Sequence, residues 1–377
     1  MERFGIPAKA LAITAAGVAG VVAAAVLFAW SGLYSVAASR GHWALVSWFF
    51  DFSMRSSVRT HAFAIEVPAL DDPNLVRLGA AHFHNGCAYC HGAPGVPINP
   101  IAEQMLPPPP PLARVVESWK ADELFWIVKH GIKYTGMPGW VAQERDDEVW
   151  AVVAFLRRLP GLDARRYREL ALGQVDIAHT SGQELAKAES NPQAEGACAR
   201  CHGSGETGPA SDLVPVLHGQ TAEYLTAALQ AYASGHRKSG IMQPVALDLD
   251  ARSTHLLANY YSRLPPPRLQ FSRTQAGAAA IDRGRALAAE GVPQAGIPPC
   301  ATCHEGVALT RFPRLKGQSA RYMVRQLQLW HHGLNTQTAN AAIMAPIARR
   351  LTEPQMAAVS AYYASLTHPK NSGESRR

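Results

Sequence analysis

The chain has 377 residues, 47% of them hydrophobic, with 36 Lys and Arg against 29 Asp and Glu for a net charge of +7. That length predicts two or three domains rather than one. The basic balance alone would admit a nucleic-acid partner, but charged residues are only 17% of the chain and no nucleic-acid motif accompanies them.

The first predicted element is apolar. No charged residue occurs from Ala10 to Ser39, and Ala10 to Tyr34 alone could cross a bilayer core as a helix. Ser35-Val36-Ala37 resembles a signal cleavage site. Signal h-regions, however, run only about 7–15 residues, so residues 1–39 are expected to be cytoplasmic residues and an uncleaved membrane anchor. Arg3 and Lys9 precede the span and Arg40 and Arg55 follow it, which leaves orientation open by charge alone. The segment 40–64 carries Trp43 and Trp48, residue types that settle at headgroup level. It reads as a short interfacial helix, or as a surface for a membrane partner's helices.

A first unit is expected over 65–160. Asp72-Pro73 reads as an N-cap and first-turn proline. Gly79, in the helix that follows, predicts a close crossing with the unit's last helix, which starts at Asp146-Asp147 and carries Val149, Val152, Val153 and Leu156 at helical spacing. Between them lie Cys87-Ala88-Tyr89-Cys90-His91 and a rigid run from Pro107 to Pro111. A charged stretch over 161–180 is expected as a linker. The arginines from Arg157 to Arg168 that straddle its start form either a docking face for an acidic redox partner or a solvated helix.

Units two (181–267) and three (268–368) are copies of one another, and a polar tail follows at 369–377. Gly182 and Gly284 each stand sixteen residues before a cysteine, followed by Leu185-Ala186 and Leu287-Ala288. The strings Cys198-Ala199-Arg200-Cys201-His202 and Cys300-Ala301-Thr302-Cys303-His304 come next. Each is followed by Pro-x-Leu-x-Gly-Gln, at Pro215 to Gln220 and Pro313 to Gln318, and then by Tyr224 or Tyr322. Met242 with Pro244 and Met344 with Pro346 lie forty residues after the histidines. Both units close on a helical stripe, Leu257, Tyr260, Tyr261, Leu264 and Val359, Tyr362, Tyr363, Leu366. Duplication is the simplest account.

The three C-x-x-C-H strings use all six cysteines. This is the attachment signature of c-type haem: Cys87, Cys90, Cys198, Cys201, Cys300 and Cys303 would form thioethers, and His91, His202 and His304 would ligate iron. Zinc ribbons pair their C-x-x-C units and need no trailing histidine, so three strings leave one unmatched. A redox dithiol would sit in a strand-helix-strand pattern, which is absent. Three covalently bound haem c groups are expected. Because such haem is attached outside the bacterial cytoplasmic membrane, the large C-terminal part is expected in the periplasm.

Each unit resembles class I cytochrome c, the first through Tyr134-Thr135-Gly136-Met137-Pro138. Units two and three together resemble the dihaem cytochrome c4 family, on the Pro-x-Leu-x-Gly-Gln strings and tandem tyrosines. The resemblance implies an all-α fold, three class I cytochrome c-like domains in tandem after one transmembrane helix. Each haem would be ligated by His and Met, a pair that raises the potential and favours electron transfer over binding of small molecules. The sixth ligands are expected to be Met137, Met242 and Met344, each between its haem string and closing helix and beside proline or one residue from it. Met105 stands only fourteen residues after His91, while Met323 and Met356 fall within predicted helices as packing. His130, His236, His331 and His332 are bis-histidine alternatives, more in keeping with surface or structural roles.

The chain as a whole resembles membrane-anchored trihaem cytochromes of respiratory chains. The implied partners are a quinol-oxidising complex or periplasm-facing dehydrogenase on one side and a terminal oxidase or soluble cytochrome on the other. One rival is a haem enzyme with one five-coordinate iron that reduces peroxide or a nitrogen oxide. A permanent oxidase or dehydrogenase subunit is a third possibility.

Overall fold

The computed structural model describes residues 8–173, 198–305 and 310–366. The landmarks Gly182 and Leu185-Ala186, the end of the expected linker, and the tail 369–377 lie outside them. Among the described residues the regular structure is helical, with isolated bridges and no strand.

Helix α1 (Ala8–Trp30) contains a 19-residue stretch, Ala12–Trp30, with mean hydropathy 2.3 and none of it buried, long and apolar enough to cross a membrane. Helix α2 (Ala44–Ala62) is longer than the short interfacial element expected and changes partners along its length. Trp48, Phe49, Phe50 and Phe52 are exposed near its start, whereas Val58 and Ala62 are fully buried near its end. Arg59 faces Glu123 at 3.7 Å there, and Arg55 lies over the Trp119 ring at 4.9 Å. One helix thus joins an exposed aromatic face to the first unit.

In the first unit, α3 (Pro73–Gly86) is capped by Asp72, whose side chain accepts the Asn74 N–H. It crosses α5 (Asp146–Leu156), and α4 (Ala121–His130) packs beside them. A Cβ on Gly79 would lie 1.9 Å from the Ala151 carbonyl oxygen, so only glycine permits this approach. Phe83 and Phe155 meet at 5.1 Å below the crossing.

The stretch expected as a linker is, as far as it is described, part of this unit. Residues 164–172 form α6 (Ala164–Leu172), capped by Asp163. Its Tyr167 is fully buried against Phe83 and Phe155, and its hydroxyl meets His84 Nδ1 at 2.9 Å. The alternation of charge hid one apolar contact. The arginines of α6 point outward, Arg165 and Arg166 pairing with Glu169.

The second unit contains α7 (Ala222–Ala233) and α8 (Ala251–Arg263), capped by Thr221 and Asp250. The third contains α9 (Ala278–Glu290), α10 (Ala320–His331), α11 (Ala339–Ala348) and α12 (Glu353–Ser365). Helices α9 and α12 repeat the glycine crossing, with a Cβ on Gly284 falling 2.0 Å from the Ala358 carbonyl oxygen. Leu257 and Tyr261, and Val359 and Tyr363, are buried as their stripes require.

The units are docked. Leu213 of unit two is buried in the core of unit one, beside a bond from Ser211 Oγ to the Asn74 carbonyl at 3.1 Å. Arg321 of unit three reaches Asp72 at 2.6 Å and Asp212 at 3.1 Å. Units two and three are clamped reciprocally. Gln220 donates to the Arg314 carbonyl at 2.7 Å and accepts its N–H at 2.9 Å; Gln318 accepts the Val216 N–H at 2.9 Å and donates to its carbonyl at 3.1 Å. The final glutamine of each Pro-x-Leu-x-Gly-Gln string therefore reads the second residue of the other.

Candidate haem-iron centres

Each haem string adopts a helical turn. Helix α3 ends at Gly86, and the His91 N–H then bonds to the Cys87 carbonyl at 2.9 Å. Residues 198–202 are helical, and the His304 N–H bonds to the Cys300 carbonyl at 3.1 Å. Residues i, i+3 and i+4 on a helix share one face, so each turn presents two thiols and an imidazole together. All six cysteines are half-buried. Burial pushes Cys87 up to about 12 and Cys300 to about 11, each helped by its partner cysteine.

The imidazoles are aimed by prolines. His91 Nδ1 lies 2.9 Å from the Pro110 carbonyl, His202 Nδ1 3.1 Å from that of Pro215, and His304 Nδ1 2.9 Å from that of Pro313. A carbonyl can only accept, so Nδ1 carries the proton and Nε2 is left with its lone pair free. Burial lowers all three histidines below their ordinary value, with the proline carbonyl opposing it. Neutral imidazole with Nε2 free is the form that binds iron.

A continuous cavity of about 730 Å³ connects units two and three. Its wall includes Cys198, Cys201 and His202 with Met242, and Cys300 and His304 with Met344. In both units the expected ligand pair thus faces one space, although Met242 and Met344 come from different helical segments, Met242–Leu247 and α11. Thiols in pairs, an oriented imidazole, a methionine and a largely apolar wall fit a covalently held macrocycle. In the first unit Cys87 packs against the core. Met137 stands in a tight loop: its N–H bonds to Thr135 Oγ1 at 3.1 Å and its carbonyl accepts from Ile132 N–H at 3.2 Å. Met105 lies beside that loop, its Sδ 2.5 Å from where a Cβ on Gly136 would stand. The sequence spacing that set Met105 aside did not foresee this approach.

Of the remaining candidates, His236 also lines the cavity. Met356 is fully buried in the third core, and Met323 is buried there while also reaching the cavity wall. His130 is exposed beside Trp126. His236 meets Ser234 Oγ at 2.7 Å, and His331 Nδ1 meets the Ala348 carbonyl at 3.0 Å. His332 stacks edge-on with His331.

Sequence reasoning noticed the prolines after each haem string but assigned them no part in aiming the imidazoles. The separations, 19, 13 and 9 residues, vary too much to form a pattern. It also passed over Arg145 and Glu148, which are buried at the junction of the units and carry no motif.

Residues 74–156 match the family of cytochrome c oxidase, cbb3-type, subunit III. The thiosulfate dehydrogenase electron acceptor of Stutzerimonas stutzeri is 34% identical over 180 residues, 47% of this chain and 82% of that protein. Cytochrome c4 of Pseudomonas aeruginosa is 31% identical over 202 residues, 52% of this chain and 95% of that protein. The solved structure of Acidithiobacillus ferrooxidans cytochrome c4 is 35% identical with a TM-score of 0.40, covering 45% of this chain and 98% of that chain.

Proposed function

Because the chain belongs to the cytochrome c4 family of c-type cytochromes, we propose that it is a membrane-anchored electron conduit. In this reading it passes electrons from a periplasm-facing dehydrogenase or quinol-oxidising complex to a terminal oxidase or soluble cytochrome. The chain carries three covalently bound haem c groups, one for each C-x-x-C-H string, and their irons supply the one-electron chemistry. The protein's own part is to hold, aim and dry those sites. Cys87 and Cys90, Cys198 and Cys201, and Cys300 and Cys303 fasten the groups; His91, His202 and His304 are the proximal ligands. The carbonyls of Pro110, Pro215 and Pro313 keep each Nε2 unprotonated. Met137, Met242 and Met344 are the sixth ligands, and the apolar wall excludes water and stabilises the less charged reduced state.

The observation that carries this reading is the shared cavity whose wall includes both expected ligand pairs, His202 with Met242 and His304 with Met344. A second strong ligand at each iron suits electron passage rather than substrate binding. The partners follow by likeness. The S. stutzeri relative accepts electrons from thiosulfate dehydrogenase, as its name says, and the first unit matches an oxidase-subunit family. We therefore place a dehydrogenase-like donor at units two and three and a membrane-bound acceptor at unit one, beside α1. The haem units lie in the periplasm.

The test uses the full chain in detergent. Ferric protein should be low-spin at all three haems, with the far-red charge-transfer band of Met ligation, and should leave peroxide unconsumed. A high-spin fraction equal to one haem, with peroxide turnover, would overturn the reading in favour of an enzyme. Membranes containing the chain should oxidise a reduced dehydrogenase-side donor with oxygen uptake, and membranes lacking it should not.

A further inference from the structure

The loop that brings Met242 into the second cavity is held from outside its own unit. Ser239 Oγ accepts the N–H groups of Ile241 at 3.2 Å and Met242 at 3.0 Å. The same hydroxyl donates to Glu148 Oε1 at 2.6 Å, and the Gly240 N–H donates to Glu148 Oε2 at 2.6 Å. Glu148 belongs to the first turn of α5 in unit one and is 3% exposed. Arg145, also in unit one, pairs with Glu148 at 2.9 Å and donates to the Lys238 carbonyl at 3.0 Å. Trp140 closes over the loop: a Cβ on Gly240 would lie 2.2 Å from its Nε1, which donates to Glu148 Oε2 at 3.3 Å.

Unit three completes the clamp. Asn335 Oδ1 accepts the Lys238 N–H at 2.5 Å, and its amide donates to the Lys238 carbonyl at 3.3 Å. Arg145 is itself held by two bonds to Asp147, at 2.8 and 2.9 Å, and Arg325 approaches Asp147 at 3.4 Å. A buried carboxylate and guanidinium are expensive to desolvate, and a hydrophobic pair of similar volume would be at least as stable. What this pair achieves is placement. It fixes the backbone from Lys238 to Gly240, and through Ser239 the backbone N–H of Met242.

We propose that Glu148 and Arg145 of unit one are positioning residues for the methionine loop of unit two. The first unit thereby governs the ligand hold and potential of the second haem, as well as carrying a haem of its own. The proposal rests on Met242 being the sixth ligand. A thioether is a weak ligand, so its residence at iron depends on how firmly its loop is held.

The test compares Glu148→Gln, Ser239→Ala and Met242→Leu in the full holoprotein, read by imidazole titration, the far-red band and spectroelectrochemistry. Met242→Leu identifies the second haem by removing one haem's share of the band. Glu148→Gln and Ser239→Ala should each raise imidazole affinity about tenfold at that haem and lower its midpoint potential, the loss of one buried hydrogen bond being of that size. The other two haems should titrate as in the unaltered chain. Unchanged affinity and potential in both variants, with Met242→Leu behaving as stated, overturns the proposal and leaves the ligand reading standing. An equal rise at all three haems overturns it as well, because that is general loosening. If Met242→Leu leaves the band whole, the ligand reading fails. Should Glu148→Gln lose haem during production, Arg145→Lys decides in its place, unchanged affinity and potential at the second haem overturning the proposal.

Discussion

A proline carbonyl on each Nδ1 ties the tautomer of the proximal histidine to the loop after the haem string. The thiols contribute attachment and the imidazole contributes ligation, so the two can be separated by substitution. Replacing Cys87 and Cys90 with alanine should lower the covalent haem count from three to two, read by intact mass and by the colour retained after acid-acetone extraction. The sixth ligand of the first unit is a sharper question, because the Met105 side chain lies against Gly136, the residue before Met137. Met137→Leu should remove one haem's share of the far-red band, whereas Met105→Leu should leave it in place. The reverse result would move the ligand to Met105. The choice of Met137 came from its neighbouring proline and from its distance from His91. Its proximity to Met105 was invisible because the loop returns across the intervening helix α4.

Two contacts between elements dominate the architecture, and both come from motifs read in the sequence. The glycine crossings bring backbone against backbone at Gly79 and Gly284. Gly79→Ala should destabilise the first unit by about 3 kcal/mol, the upper range for overpacking, because the obstructing atom is a carbonyl that cannot rotate away. Denaturant unfolding followed at the Soret band would measure it, and Gly284→Ala should act likewise on the third unit. The second contact is the glutamine clamp. Gln220→Ala leaves the Arg314 N–H and carbonyl without their partners and should cost about 2 kcal/mol at the interface of units two and three. Glutamine at the end of the Pro-x-Leu-x-Gly-Gln string was legible as a repeat landmark. Its role was not, since its partner lies 94 residues away.

At the scale of the molecule, the described part of the expected linker turned out to be α6, packed on unit one through Tyr167. The first unit is also bonded to both others. A fragment starting near Asp176 should still fold as a dihaem protein, because units two and three have their own apolar clusters and the glutamine clamp between them. It would expose Leu213 and remove the hold of unit one on the Lys238–Met242 loop, leaving that of Asn335, so its second haem should be the more labile. Loss of both haems from that fragment would show that the units do not fold separately. Docking of unit one also depends on acid. Burial raises the Asp72 carboxyl, but Arg321 and the Asn74 and Leu75 N–H groups outweigh it and hold the group below its ordinary 3.8. A depressed carboxyl contributes stability above its ordinary value and loses it as the pH falls through the lower, folded value. The Asp72 contribution to the junction should therefore hold from neutral pH down to about 4 and decline only below it, read as the difference in hydrogen-exchange protection factors between the unaltered chain and Asp72→Asn at each pH.

The amino-acid sequence by itself determined the haem count, the duplication of units two and three and the all-helical class. Those properties are carried by residues close together in the chain: a five-residue attachment string, a helical stripe, an N-cap beside proline. Only the tertiary structure decided which carbonyl aims each imidazole, that α2 and α6 belong to the first unit's packing, and that Glu148 and Arg145 hold the loop of Met242. Each of these joins groups separated by intervals of no fixed length, so no periodicity or spacing records them. Arg145 at the N-cap and Glu148 in the first turn of α5 carry no motif, and it is the neighbouring unit that gives them a role.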